Sequence, residues 1–372
     1  MKSVLVRRTS GNLLGILLLG FALAVLAVPA AQAQPFGAWM TLSGPTNGYV
    51  NVPDSSSLNF TGAITIEAWV KVTIPTGQQC ISLVGKGWTE AWWVGVCQVG
   101  ANQVLRSYIR GYDGTSGNTN GRINRDAGIV PAGEWTHVAV VFDGAHRFHY
   151  IDGELVGSWA ETQPLTTSTR PVEIGSDFSY NHTPAGSIDE VRLWNVARTV
   201  TQIRSTINVV VHSAQPGLVA VWPLDGSAND ALGGHNGTVL GSGVGAATFP
   251  VAASCGSSTT AALCLQGRFA ITTKYRAAIA PGPDDGSGHV VVASANSGIF
   301  WFFSSDNWEV MVKALNGCSI NNRYWIFSAA TTNLFYRMEV LDVHAGVQKI
   351  YFNYPGPPAP AVTDVDAFAT CP

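Results

Sequence analysis

Charge is scarce in this chain of 372 residues: Asp, Glu, Lys and Arg together make up 12% of it, about half the share of an ordinary soluble domain. The formal charge is −3, and no stretch gathers Lys and Arg into a patch or stripe. Nucleic acid and anionic membrane surfaces are therefore not expected as partners. Beyond residue 33 no segment is apolar for long enough to span a bilayer. The motifs H-E-x-x-H and G-x-S-x-G and the Walker loop do not occur. Zinc is disfavoured because no C-x-x-C spacing or paired His accompanies the cysteines. The eight histidines are scattered, and no catalytic residue can be named.

Glycine is abundant, with 40 residues, a bias that suits short strands and tight turns better than helices. The expected fold class is all-β. At the start, Lys2, Arg7 and Arg8 precede an apolar run from Leu13 to Val28, and Ala31-Gln32-Ala33 gives the small-x-small pattern of a signal-peptidase site. Residues 1–33 are expected to be a signal peptide cleaved near Ala33, placing the mature chain in the secreted fraction or at the extracellular surface, without membrane insertion. The rival, a membrane anchor, lacks a basic stop-transfer flank. Cleavage removes three basic residues and no acidic one, moving the formal charge from −3 to −6. In an oxidising compartment the six cysteines are disulfide candidates. Locality favours Cys80 with Cys97, Cys255 with Cys264 and Cys318 with Cys371, and free buried thiols are the alternative.

Turn residues punctuate the middle of the chain. Val138–Phe142 and Phe148–Ile151 flank Asp143-Gly144-Ala145, and Asp152-Gly153 turns into a third run, Glu154–Trp159; this spacing predicts a β-meander. Further strands are expected near Tyr49–Val52, Ile64–Val72, Cys80–Val84, Trp92–Cys97, Val104–Ile109, Val172–Ile174, Ser187–Trp194 and Leu218–Pro223, with one helical segment over Thr199–Val209. From Gly241 to Ser258 the chain is mostly Gly, Ala and Ser, which reads as a linker. The expected division is a jelly roll over 34–248, a linker at 249–258 and a smaller antiparallel β-sandwich over 259–372. In the last, strands are expected at Phe269–Thr273, His289–Ala293, Ile299–Ser304, Trp308–Lys313, Tyr324–Ser328, Leu334–Val340 and Gln348–Asn353.

Four groups of residues carry a resemblance: Tyr49–Ser55 followed by Thr65–Val70, then Gly133–Gly144, Gly186–Trp194, and Leu218–Asp225 with His235-Asn236-Gly237. In this order they resemble the laminin G-like, concanavalin A-like jelly roll. Leu263–Phe269, Gly298–Phe303 and Glu309–Lys313 resemble a C-terminal module of secreted bacterial proteins that has no known activity. Phe300–Phe303 reads as a two-sided core strand in preference to a ligand platform.

The resemblance implies a fold that hosts both enzymes and binding modules. Glucanases of the superfamily carry E-x-D-x-x-E on one strand, a spacing absent here; Asp189 and Glu190, being adjacent, are expected on opposite faces of theirs. Relatives often hold one calcium ion at the late I-D-E-V strand, which implies Asp189 as a ligand together with oxygens from the turn around Asn47 and Gly48. Candidate ligand-binding residues are the loop groups Trp88, Tyr112, Asp113, Tyr180 and His182, since aromatic faces pack on sugar C–H groups while polar groups bond hydroxyls. The alternative is that these rings cap the sandwich ends. The expected function is a secreted bacterial binding or adhesion protein that recognises glycan or a cell-surface protein. Its rivals are a polysaccharide-active enzyme with dispersed catalytic residues and a purely structural surface protein.

Overall fold

The computed structural model describes residues 37–44, 48–87, 90–109, 124–161, 164–177, 182–356 and 359–372. The expected signal peptide lies outside the described residues. Among the described residues fifteen strands precede residue 249: β1 (Ala38–Ser43), β2 (Tyr49–Val52), β3 (Ile64–Thr73), β4 (Cys80–Lys86), β5 (Trp92–Val99), β6 (Asn102–Tyr108), β7 (Asn124–Ile129), β8 (Thr136–Phe142), β9 (His146–Ile151), β10 (Glu154–Ala160), β11 (Val172–Ile174), β12 (Ala185–Trp194), β13 (Leu218–Trp222), β14 (Thr238–Leu240) and β15 (Val244–Thr248). They form an eight-stranded sheet, in the order β10-β9-β8-β3-β12-β1-β15 with β13 beside β12, and a seven-stranded sheet, β14-β2-β11-β4-β5-β6-β7. Every pairing is antiparallel. The stretch that reads as a linker therefore contains a strand, because β15 pairs with β1 from Ala38↔Thr248 to Leu42↔Val244. Its small residues suit a sheet edge, where no continuous apolar run is required.

Alternation explains how the two sheets close on each other. Along β3, Ile64, Ile66, Ala68, Val70 and Val72 enter the core between them, while Thr65, Glu67 and Trp69 face the other way. The turn between β9 and β10 has positive φ at both centres, Asp152 at 48° and Gly153 at 75°, the primed turn that matches strand twist. The helix α1 is confined to Val200–Thr206, shorter than the segment expected; Thr199 and Gln202 form a reciprocal capping box at its start.

Ten further strands build the second sandwich: β16 (Leu263–Leu265), β17 (Phe269–Arg276), β18 (Gly286–Ser287), β19 (His289–Val292), β20 (Ser297–Trp301), β21 (Val310–Asn316), β22 (Tyr324–Ala330), β23 (Phe335–Asp342), β24 (Val347–Asn353) and β25 (Val362–Phe368). One sheet runs β16-β17-β23-β24 with β18 beside β17; the other runs β19-β20-β21-β22-β25. Phe300 and Phe302 are buried and Phe303 is exposed, as a core strand running out into a loop requires. All three disulfides form in the expected pairs, with Cα–Cα separations of 4.0, 5.7 and 5.7 Å.

The sandwiches share a seam. Trp39, Trp69 and Trp135 stand on the outer face of the eight-stranded sheet and bury themselves against Ile350 of β24, with Phe249 and Phe352 packed around them. Each indole removes about 200 Å² from water, worth on the order of 5 kcal/mol before entropy. Glu134 receives hydrogen bonds from Lys274 and Arg337, both at 2.6 Å, and Arg276 donates to both oxygens of Glu154 at 2.8 Å. At Gly153 the approach is so close that an added Cβ would lie 2.5 Å from the Tyr354 hydroxyl.

Candidate functional site

The adjacent pair Trp92-Trp93 must place one indole on each face of β5. Trp92 joins the core, and Trp93 lies on the outer face with Tyr108 and the Cys80–Cys97 bridge. Its ring sits across Gly95, where an added Cβ would come within 2.1 Å of it, so only glycine leaves room. The indole N–H donates to Ser82 Oγ at 2.7 Å, and the Tyr108 ring is 5.0 Å away. Beside them Arg106 grips Asp126 with two hydrogen bonds of 2.5 and 2.6 Å, the bidentate fork that fixes both planes.

Strand register brings the ends of β4 and β6, which precede two of the expected ligand segments, side by side, whereas β11 runs antiparallel to β4 and the chain leaves it toward Ser82, away from that end. Lys86 pairs with Trp92, Trp93 with Tyr108, and Tyr108 with Asn124. The chain thus leaves β4 and β6 from neighbouring ends of one sheet. Buried Lys86 secures this end through Asp54 and the Arg170 carbonyl. Trp88, Tyr112, Asp113 and Tyr180 lie outside the described residues. His182 is half-buried, its carbonyl accepts from the Ser82 N–H at 2.8 Å, and burial lowers its pKa. Tyr108, Arg106 and Asp126 escaped the sequence reading; the doublet at 92–93 was the signal that an aromatic had to stand on this face.

Asp189 and Glu190 do not face opposite ways as strand alternation predicts. A β-bulge shifts the register against β3 between Asp189 and Arg192, and Glu190 takes a left-handed φ of 49°. An inserted residue re-aims its neighbours, and both carboxyl groups line one hollow with Gly37, Asp225, Arg192 and Lys349. Glu190 is held by Arg192 at 2.7 Å and His212 at 3.2 Å. Asp189 is 2% exposed, its Oδ1 has no hydrogen-bond partner, and burial raises its pKa well above the carboxylate range, with Glu190 and Asp225 adding to the shift.

The hollow has a volume of ≈ 20 Å³, room for about one water-sized occupant. Gly48 does not line it; that residue sits on the other sheet, where a Cβ would meet the Ser242 carbonyl at 2.2 Å. Asn47 lies outside the described residues. Calcium takes six to eight oxygens, and the carboxyl groups that line the hollow are those of Asp189, Glu190 and Asp225, beside Arg192 and Lys349. Among the described residues no group of three His, Cys, Asp or Glu is placed to share a metal ion. Of the three expected calcium ligands, Asp189 lines the hollow and Gly48 does not.

Residues 44–204 match the model of the concanavalin A-like lectin/glucanases superfamily, and the first sandwich has the two antiparallel sheets of a jelly roll. The chain is 31% identical over 103 residues to Homo sapiens pappalysin-1, a match that covers 26% of this chain and only 6% of that protein. A proposed carbohydrate binding protein from Bacteroides ovatus ATCC 8483 is similar in structure at 21% identity, covering 57% of this chain and 60% of its own, with a TM-score of 0.46. The CBM40 of the Ruminococcus gnavus IT-sialidase, bound to alpha2,3 sialyllactose, is 14% identical, covering 46% of this chain and 95% of its own at a TM-score of 0.35.

Proposed function

We propose that this chain is a secreted, non-catalytic binding or adhesion protein that recognises glycan through the loop rim of its seven-stranded sheet. The observation that carries the reading is the shared origin of the segments bearing Trp88 and Tyr112-Asp113, on neighbouring strand ends. Aromatic faces and carboxylates suit a sugar's apolar face and hydroxyl edge. The strands below contribute the Arg106–Asp126 fork and the Trp93–Tyr108 pair. Secretion is supported by the leader-like first 33 residues and by three disulfides, which persist in oxidising compartments. Among the described residues no helix is long and apolar enough to cross a membrane.

The non-catalytic reading rests on the sequence, in which the E-x-D-x-x-E spacing carried by glucanases of the superfamily does not occur. A glycan array probed with the chain lacking residues 1–33, run beside a polysaccharide hydrolysis screen, tests both halves. Binding without turnover is the expected result. Robust turnover would contradict the non-catalytic half, and an array with no positive glycan would contradict the ligand class.

A further inference from the structure

We infer that the cleft between the two sandwiches, floored by Asp152, Asp284 and Arg337, is a second saccharide site that takes one neutral sugar residue. The inference rests on the glycan reading above for its ligand class and goes beyond it in place and chemistry. The cleft has a volume of ≈ 440 Å³, within the roughly 300–1,000 Å³ of small-molecule sites. Its walls come from both sandwiches: Ile129, Ile151 and Leu155 on one side, Pro281, Pro283 and Phe335 on the other. It exists only where the two are joined.

The ion pairs that close the seam leave hydrogen-bonding capacity over. Arg276 is committed to Glu154 and to the carbonyls of Ala278 and Gly282. Arg337 uses Nη2 on Glu134 at 2.6 Å and Nη1 on the Trp135 carbonyl at 3.1 Å. Its Nε, however, is buried without a hydrogen-bond partner; Asp284 Oδ2 and Glu339 Oε1 stand 3.4 Å off, in charge contact only. Asp152 accepts from the His137 N–H through Oδ1 at 2.8 Å and leaves Oδ2 3.9 Å from Arg337.

One spare N–H beside two carboxyl groups matches the needs of neighbouring hydroxyls, each of which donates one proton and accepts through its lone pairs. The prolines and Phe335 offer flat apolar surface for the C–H face of a ring. Charge selects against other occupants. Asp152, Glu154 and Asp284 repel an anion, while Arg276 and Arg337 repel a cation; a neutral polyhydroxyl ligand avoids burying a further charge. Burial pushes the Asp152 carboxyl up to about 7 and raises Asp284 as well, with Arg337 opposing both shifts. A carboxyl titrating near neutrality both donates and accepts.

Calorimetric titration of the full chain with free glucose, galactose, mannose and N-acetylglucosamine tests the site, alongside the variants Asp284→Asn and Leu155→Trp. Asp284 is 20% exposed and Leu155 46% exposed, so neither substitution disturbs a core, and melting curves verify the fold of each. At least one hexose is expected to bind with one-to-one stoichiometry, and both variants are expected to weaken it at least tenfold. Absence of binding to all four sugars, or retention of affinity in either variant, overturns the inference. A chain that is positive on the glycan array yet gives no hexose titration would lose the cleft site and keep the glycan reading. An array-negative chain would lose that reading on its own terms.

Discussion

The hollow at Asp189 and the cleft at Asp152 lie on the same seam, each lined by residues of both sandwiches, and in each burial raises a carboxyl pKa. They part company over space and partners. At Asp189 the walls close to ≈ 20 Å³ and the neighbouring acid is already tied to Arg192 and His212. At Asp152 there are ≈ 440 Å³, apolar walls and a guanidinium with one N–H to spare. A cluster of acids is thus not by itself a site. The room around it and the hydrogen bonds left unmade decide what it can hold.

The largest expected effect is on the seam itself. Arg337→Ala removes the bonds to Glu134 and the Trp135 carbonyl and takes away the guanidinium that faces Asp152 and Asp284. Breaking a buried pair in this way should cost roughly 3–5 kcal/mol in denaturant unfolding at neutral pH. A loss below about 1 kcal/mol would mean that the seam is held elsewhere.

The next effect is one of pH. Asp152 titrates near 3.8 when unfolded and near 7 when folded, so between those values the folded chain holds more protons. Stability from this group should therefore fall as pH rises from about 4 through 7, by up to about 4 kcal/mol. Asp152→Asn should flatten that part of the pH–stability curve. An unchanged slope would show that burial does not perturb this carboxyl.

At Asp189 the expected change is smaller and opposite in sign to that of Arg337→Ala. Its pKa is raised in the fold, so ionisation weakens the folded state, and Asp189→Asn should stabilise the chain at pH 8 by on the order of 1 kcal/mol. Calcium and chelator should leave both melting curves alike. A calcium-dependent rise in melting temperature that Asp189→Asn abolishes would instead install an ion in the hollow.

These contrasts also mark what the sequence carried. Contiguous apolar runs such as Val138–Phe142 and Tyr324–Ser328 revealed central strands, the Asp-Gly pair revealed a hairpin, and local spacing revealed three disulfides. The strands Asn124–Ile129, Thr238–Leu240, Val244–Thr248 and Val362–Phe368 escaped because they lie at sheet edges, where one neighbour and one apolar face suffice. The bulge at Asp189 escaped because a period of two contains no sign of an inserted residue. The cleft was invisible for another reason: Asp152 lies 132 positions from Asp284 and 185 from Arg337, and it takes the packing of Trp39, Trp69 and Trp135 beneath β24, with the ion pairs of Glu134 and Glu154, to bring the two sandwiches together.

Recognition through the rim has one direct test: titration of an array-selected glycan into the chain lacking residues 1–33 and into its Trp88→Ala and Tyr112→Ala variants. Losing a stacked ring removes about 1 kcal/mol or more, so each variant should bind roughly tenfold more weakly with its melting curve unchanged. Full affinity in both variants would contradict recognition through the rim.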